Sequence, residues 1–155
     1  MPSEPPVVAT AHERDPPEAA AGGELNAAVA RAVVGIYRDR VGRGPTRARA
    51  FFRDNVLVVV LQDVLTKGEQ SLVRCGQHRT VHQTRAVVQD VMRDELISAV
   101  EGLTLGRVTA LMSSNDLDSD MAAQVFVLDR ALAGAGPVAG RPVRPVRPVR
   151  PVSGV

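Results

Sequence analysis

Apolar residues recur at helical spacing in two long segments of the chain. The first set predicts an amphipathic helix that ends at Gly42, because glycine stops a helix and the following Pro45 prevents its continuation. The second predicts a longer helix over residues 79–99. The apolar positions of the two helices are Leu25, Val29, Ala32, Val33 and Ile36, and Val81, Val88, Met92, Leu96 and Ala99.

Between these helices the pattern changes to that of strands. Residues 47–53 alternate arginine with Ala or Phe, which is typical of a half-buried strand. Asp54-Asn55 forms a turn, and the apolar, largely β-branched run of residues 56–61 predicts a strand covered on both faces. Thr66 and Glu69 form a capping box that opens a short helix ending near Cys75 and Gly76.

Two further strands are predicted over residues 107–113 and 122–128, joined by an acidic loop over residues 114–120. The predicted fold class is therefore α+β, with the order α-β-β-α-α-β-β. We expect two layers, a four-stranded, mainly antiparallel sheet with helices on one face. The other face then needs a cover, which favours a homodimer.

Composition divides the chain into a domain and two tails. Residues 1–23 are rich in Pro, Glu and Ala, have no periodicity, and are predicted to be a disordered tail. Residues 24–130 form the predicted domain. Residues 131–155 are predicted to be a second disordered tail, in which four Arg-Pro-Val units favour polyproline II. That tail could contact anionic lipid, nucleic acid or a polyproline-binding groove, or could simply be a solubilising end.

Several classes of protein are disfavoured by what the sequence lacks. The single cysteine, Cys75, cannot form an internal disulfide and fits a reducing cytoplasm. The first residues do not resemble a secretory signal, and the longest apolar run is far shorter than the roughly 20 residues of a membrane span. We therefore expect a cytoplasmic protein without direct membrane insertion.

The best candidate functional residues are arginines. Arg43, Arg47, Arg49 and Arg53 could bind a protein partner or an anion, and on a regular strand the last three share a face. The alternative is a solvated strand face that discourages edge pairing, or arginines that pair with Asp39, Asp54 and Asp63. Nucleic-acid binding is less favoured, because few aromatic residues and no recognised motif accompany the arginines.

Metal and calcium sites are weaker hypotheses. Cys75, His78 and His82 have spacing that could place them on one helical face for zinc, but Gly76 interrupts it and no fourth ligand follows. We expect Cys75 to be a small buried hydrophobe and the histidines to lie on an exposed helical face. The alternating aspartates of residues 116–120 lack the glycine and glutamate of an EF-hand, so we predict neither a metal site nor a cofactor.

No catalytic pattern is identifiable either. Ser113 and Ser114 lack a nucleophile elbow, the glycines at 42 and 44 lack the lysine and spacing of a phosphate-binding loop, and Cys75 near His78 has only its spacing. The prediction is a non-enzymatic protein.

The order of these elements, and the residues that separate them, resemble those of the MpsC-like family. The matching residues are Gly42-Arg43-Gly44-Pro45 after Ile36-Tyr37, then 54–59, Leu65-Thr66 with Glu69, the helix carrying Arg85, and the paired last strands. The family takes its name from a protein associated with a bacterial sodium-translocating, membrane-potential-generating system. The resemblance covers residues 24–129 and brings no established active site, while the sequence around residues 75–80 departs from it.

The resemblance implies a small cytoplasmic bacterial protein, accessory to an ion-transport or membrane-energetic system. We therefore predict a homodimeric accessory or regulatory protein that acts by protein-protein contact, with a membrane-transport subunit as the expected target. The alternative is an anion- or nucleic-acid-binding module that uses the arginine strand and the basic tail.

Overall fold

The computed structural model describes residues 17–133 of the chain. Within that part, helices and strands follow the predicted order α-β-β-α-α-β-β. Their bounds are α1 Pro17–Val41, β1 Arg47–Arg53, β2 Val56–Gln62, α2 Lys67–Arg74, α3 His78–Thr104, β3 Val108–Asp116 and β4 Met121–Leu128.

The four strands form one antiparallel sheet in the order β1-β2-β4-β3. The strands β2 and β4 are therefore central, and β1 and β3 are the edges. Leu57 of β2 pairs with Phe126 of β4, and both are fully buried, as are their neighbours on the same side of each strand. Because α1 packs on β1 and α3 on β3, the helices cover this one face, and the predicted α+β fold class is confirmed.

The core lies between this helix-covered face and the two long helices. Each helix contributes residues at helical spacing, which places them on one side of the helix. The buried hydrophobic residues are Val29, Val33 and Tyr37 of α1, Val81, Met92, Leu96 and Val100 of α3, Leu57, Val59 and Leu61 of β2, Leu111 of β3, Ala122, Phe126 and Leu128 of β4, and Val64, Leu65, Leu117 and Leu132 of the connecting segments.

The ends of the domain extend beyond the predicted bounds. The helix α1 begins at Pro17, so residues 17–23, which composition assigns to the tail, are helical; proline suits a helix start, and the Glu-Ala-Ala-Ala stretch favours helix. Leu132 is buried and donates its N–H to Asp54 O at 2.8 Å, so this residue packs against the domain. The remaining parts of both predicted tails, including the Arg-Pro-Val units, lie outside the described residues.

Two glycines explain the turn between α1 and β1. Gly42 has a φ of +77° and donates its N–H to Arg38 O at 3.0 Å, which ends the helix in a left-handed cap. A Cβ built on Gly44 would lie 3.3 Å from Val34 Cγ1, so this position lets the chain pass closely over α1. These glycines belong to the segment that carries the family resemblance, and their role is conformational.

The capping box at the start of α2 also holds α3. Thr66 and Glu69 exchange the two predicted hydrogen bonds, Glu69 N to Thr66 Oγ1 at 3.2 Å and Thr66 N to Glu69 Oε2 at 2.7 Å. The same carboxylate accepts from Arg85 Nη1 at 3.2 Å, and Arg85 also donates to Val64 O and Asn115 Oδ1. Arg85 is thus a buried charged residue on the inner face of α3, where the sequence pattern predicts apolar residues.

A second buried polar contact joins α1 to the sheet. Gln124 of β4 is fully buried and donates Nε2–H to the Tyr37 hydroxyl at 2.8 Å. Ser113 of β3 donates to the other end of the same amide, Gln124 Oε1. Burial raises the pKa of Tyr37 above its ordinary value. The amide therefore links α1, β4 and β3 at one point in the core.

Candidate interaction surface

The face of the sheet turned away from the helices is uncovered within residues 17–133. We call it the open face, and its residues fall into four rows that run across β1, β2, β4 and β3 in that order. The rows are Arg47, Gln62, Met121 and Asp116; Arg49, Val60, Ala123 and Ser114; Phe51, Val58, Val125 and Met112; and Arg53, Val56, Val127 and Ala110.

The centre of the open face is apolar. The residues of β2 and β4 here are valine and alanine, apart from Gln62 and Met121 at one end, and they are half-buried by their neighbours. On the edge strands, Phe51 and Met112 are 52% and 55% exposed, although both are large hydrophobic side chains. A continuous apolar strip across four strands is typical of a surface that contacts another protein.

The predicted arginine row lies along one edge of this face. Arg47, Arg49 and Arg53 are exposed and alternate with Ala48, Ala50 and Phe52, which point to the helices. The strand therefore places these three arginines on one face, as the spacing predicts.

The structure separates Arg43 from that row. It lies in the turn after α1 and donates Nη1–H to Leu65 O at 3.1 Å, so it ties this turn to the end of β2. Two of the aspartates considered as partners of the arginines have other contacts, because Asp63 accepts from the Thr46 hydroxyl and Asp39 pairs with Arg38 at 3.7 Å.

A shallow depression of about 240 Å³ lies at the opposite edge of the open face, where β3 turns into β4. Val60 and Ala123 form its base, and Ser114 and Asp116 border it on β3. Hydrogen bonds from Ser119, its backbone N–H first, hold the pKa of Asp116 below its ordinary value. This carboxylate therefore stays ionised at neutral pH.

The two edge strands carry opposite charges at the same level of the sheet, Arg47 on β1 and Asp116 on β3. Arg47 and Asp116 are the outer members of one row, with Gln62 and Met121 between them. The sequence pattern does not place Arg47 and Asp116 on one surface, because it predicts a loop over residues 114–120, whereas β3 runs to Asp116. The alternation of residues 110, 112, 114 and 116 with the buried Leu111 was the available signal.

The histidines and the cysteine do not form a common site. His78 Nε2 lies 3.0 Å from Asp118 Oδ1, while Cys75 is exposed in the turn before α3, so the expectation that Cys75 is buried is wrong. A positive φ at Gly76 turns the chain between them. Within residues 17–133, no three His, Cys, Asp or Glu side chains are grouped closely enough to hold a metal ion.

The acidic residues after β3 have structural contacts. Asp120 accepts from Leu65 N at 2.7 Å and from Gln70 Nε2 at 3.2 Å, which fastens the start of β4 to the start of α2. Asp116 also accepts from Asp118 N at 3.1 Å and so closes the hairpin turn.

Along the described part of the chain, no helix combines the length and apolar character required to cross a membrane.

Comparisons with known proteins identify relatives of the chain. The chain is similar to the uncharacterized protein YrhF of Bacillus subtilis (strain 168), with 29% identity over 99 residues, which are 63% of this chain and 81% of that protein. No solved structure matches. The family described as "Na+-translocating membrane potential-generating system (MpsC)" matches residues 21–130, well over half of the chain. The match takes in all four strands and both sides of the capping box, and the chain belongs to the MpsC family.

Proposed function

We propose that this protein is a non-enzymatic, cytoplasmic accessory protein that works as a homodimer in a sodium-linked, membrane-potential-generating system. The family description supports the link to such a system. The observation that carries the contact mechanism is the open face, an apolar strip across four strands with arginines along one edge.

Protein-protein contact suits this surface better than small-molecule chemistry. Its depression is shallow and mostly apolar at the base, whereas a catalytic site requires convergent polar groups around a reacting atom. Aromatic, methionine and arginine side chains are enriched in protein interfaces, and all three occur here as Phe51, Met112 and the arginine row. We expect the target to be a subunit of the membrane transport system.

The test is retention of that subunit from a native extract by the immobilised full chain. The double variant Arg47→Glu/Arg49→Glu should lose the transport subunit, because it reverses two exposed charges on the contact surface. Its melting temperature, measured at a concentration low enough for both proteins to be monomeric, should stay close to that of the unchanged protein, since exposed charges contribute little to stability. The matched control is Arg74→Glu/Arg79→Glu, which makes the same charge change at exposed positions of α2 and α3.

Loss of the transport subunit in the β1 variant and its retention in the control would support the proposal. Equal retention by both variants would exclude the arginine row as the contact surface. Failure of the unchanged protein to retain any transport subunit would count against the accessory role itself.

A second candidate function is binding of a polyanion along the same edge. A groove of about 440 Å³ between α1 and β1 is bordered by Arg31 and Arg38 and by Ala48, on the helical side of the edge strand whose other side carries the arginine row. Binding of RNA or a polyphosphate there should fall steeply with salt, because phosphate contacts release counterions. Arg31→Glu/Arg38→Glu should then weaken binding, and affinity that does not change with salt would exclude this candidate.

A further inference from the structure

We propose that the open face is occupied by a second copy of this chain, related by a twofold axis nearly parallel to the strands. This inference rests on the dimer in the proposed function and specifies which residues meet. Two sheets that pack face to face keep their strands within about 30° of each other. An isologous contact between two such faces therefore has its axis either nearly along the strands or nearly across them.

A twofold axis parallel to the strands places the second sheet over the first with its strand order reversed. Each row of one copy then lies opposite the same row of the other copy. The strand β1 of one copy then lies over β3 of the other. Arg47 meets Asp116 of the second copy, Arg49 meets Ser114, and Phe51 meets Met112. Each pair is complementary: a guanidinium with a carboxylate, a guanidinium with a hydroxyl, and an aromatic ring with a thioether.

An axis across the strands gives the opposite result. The strand β1 then lies over β1 of the second copy and β3 over β3, with the rows reversed, so that Arg49 meets Phe51, Asp116 meets Ala110 and no guanidinium faces a carboxylate. Complementary charges across an interface fix the register of the two partners. The charge pattern of the open face therefore selects the first arrangement.

The shapes of the two edges agree with the same arrangement. The depression beside Ser114 and Asp116 lies in the rows of Arg47 and Arg49, so the arginines of the second copy lie along its outer border, at the rim of the interface, while the valines of both copies form a central apolar layer. Arg47 and Asp116 lie at opposite ends of one row of the same surface. A second copy of the chain therefore offers a carboxylate to Arg47 and a guanidinium to Asp116 at the same time.

Site-directed cross-linking tests the arrangement on the full chain. Cys75 is first replaced by Ser, which is tolerable because it is exposed. Phe51→Cys and Met112→Cys are then made separately, each at a position more than half exposed, and the two variants are mixed and treated with a short bismaleimide. We expect a cross-linked dimer only in the mixture, because two copies of Cys at 51 are separated by three strand spacings, about 14 Å, even before the gap between sheets is added.

Cross-linking of the Phe51→Cys variant with itself would indicate the axis across the strands and would overturn the proposal. Light scattering of the unchanged chain gives an independent measurement, for which we expect twice the 16.5 kDa of one chain. A monomer at micromolar concentration would also overturn it. If the unchanged chain is a monomer that retains the transport subunit and loses it through Arg47→Glu/Arg49→Glu, the accessory role stands and the homodimer alone is overturned.

A matched pair of variants tests the face itself. Met112→Glu should weaken self-association by about tenfold or more, because it places a charge in the apolar layer without a partner. Val87→Glu makes the same change at an exposed valine of α3, which is 64% exposed on the helical layer, and should leave self-association unchanged. Equal effects of the two substitutions would overturn the assignment to the open face.

Discussion

Arg85 and Glu69 form a buried ion pair at 3.2 Å, between the inner face of α3 and the first turn of α2. The arginine side chain is 3% exposed and the glutamate side chain 13%. The carboxylate also caps α2 through Thr66 N. One side chain thus both starts a helix and neutralises a charge in the core.

Glu69→Ala should destabilise the domain by about 3–5 kcal/mol, because it leaves the Arg85 charge buried without its partner. Chemical denaturation gives the free energy of unfolding. Thr66→Ala is the control for the cap alone and should cost about 1 kcal/mol. Equal costs for the two variants would show that the ion pair contributes nothing beyond the capping box.

Tyr37 should titrate above its ordinary pKa of 10.0 in the native protein, because burial disfavours the phenolate. It is the single tyrosine of a chain without tryptophan, so ultraviolet absorbance reports its ionisation directly. The folded state then holds this proton more tightly than the unfolded state. The resulting stability is present below pH 10 and is lost as the pH rises through the pKa of the folded state.

A native titration midpoint at or below that of the urea-unfolded chain would contradict this assignment. Gln124→Leu removes the hydrogen bond from Nε2 but keeps the site buried. The midpoint in that variant should therefore remain raised if burial is the main cause.

Gly42→Ala should destabilise the domain by about 1–2 kcal/mol, because a Cβ at a φ of +77° crowds the following carbonyl. The control is Gly35→Ala in the middle of α1, where a Cβ meets no atom within 4 Å. That change should stabilise the helix by about 0.5–1 kcal/mol. The same substitution would thus lower the free energy of unfolding at one position and raise it at the other. Changes in the same direction would contradict the role of Gly42 as a helix cap.

Arg47→Glu should weaken self-association, because the new carboxylate faces Asp116 of the second copy in the proposed dimer. Sedimentation velocity at low and moderate salt measures the effect, which should be larger at low salt since these groups are at the rim. Arg38→Glu on α1 provides the control, with the same charge change on the helical layer. A dimer unaffected by Arg47→Glu would show that this row is not paired in the interface.

The local patterns predicted most of the fold. The alternation of β1, the apolar run of β2 and the Thr66–Glu69 capping box were each fixed by a few neighbouring residues, and all are confirmed. The end of α3 was predicted too early, since Gly102 lies within the helix, which continues to Thr104. A single glycine costs a helix only about 1 kcal/mol, which packing of Val100 can offset.

The parts that could not be predicted depend on contacts between distant segments. An arginine in a helix is normally exposed, and the burial of Arg85 depends on Glu69 and Asn115, which are distant in the sequence. The pairing of Arg47 and Asp116 as ends of one row requires the strand order, which the linear pattern does not contain. The exposure of Cys75 follows from the turn at Gly76, which keeps this residue at the surface between two helices.

The strand order also governs how the chain can fold as it is synthesised. The last strand, β4, inserts between β2 and β3, so the central ladder of β2 with β4 cannot form until residue 128 has been made. Until then the hairpin of β1 and β2 exposes one apolar edge of Val56–Gln62, which is a template for unwanted pairing with another nascent chain. Pairing over such a long sequence separation is slow. The strand order therefore leaves one apolar edge of β2 unpaired until the end of the domain has been synthesised.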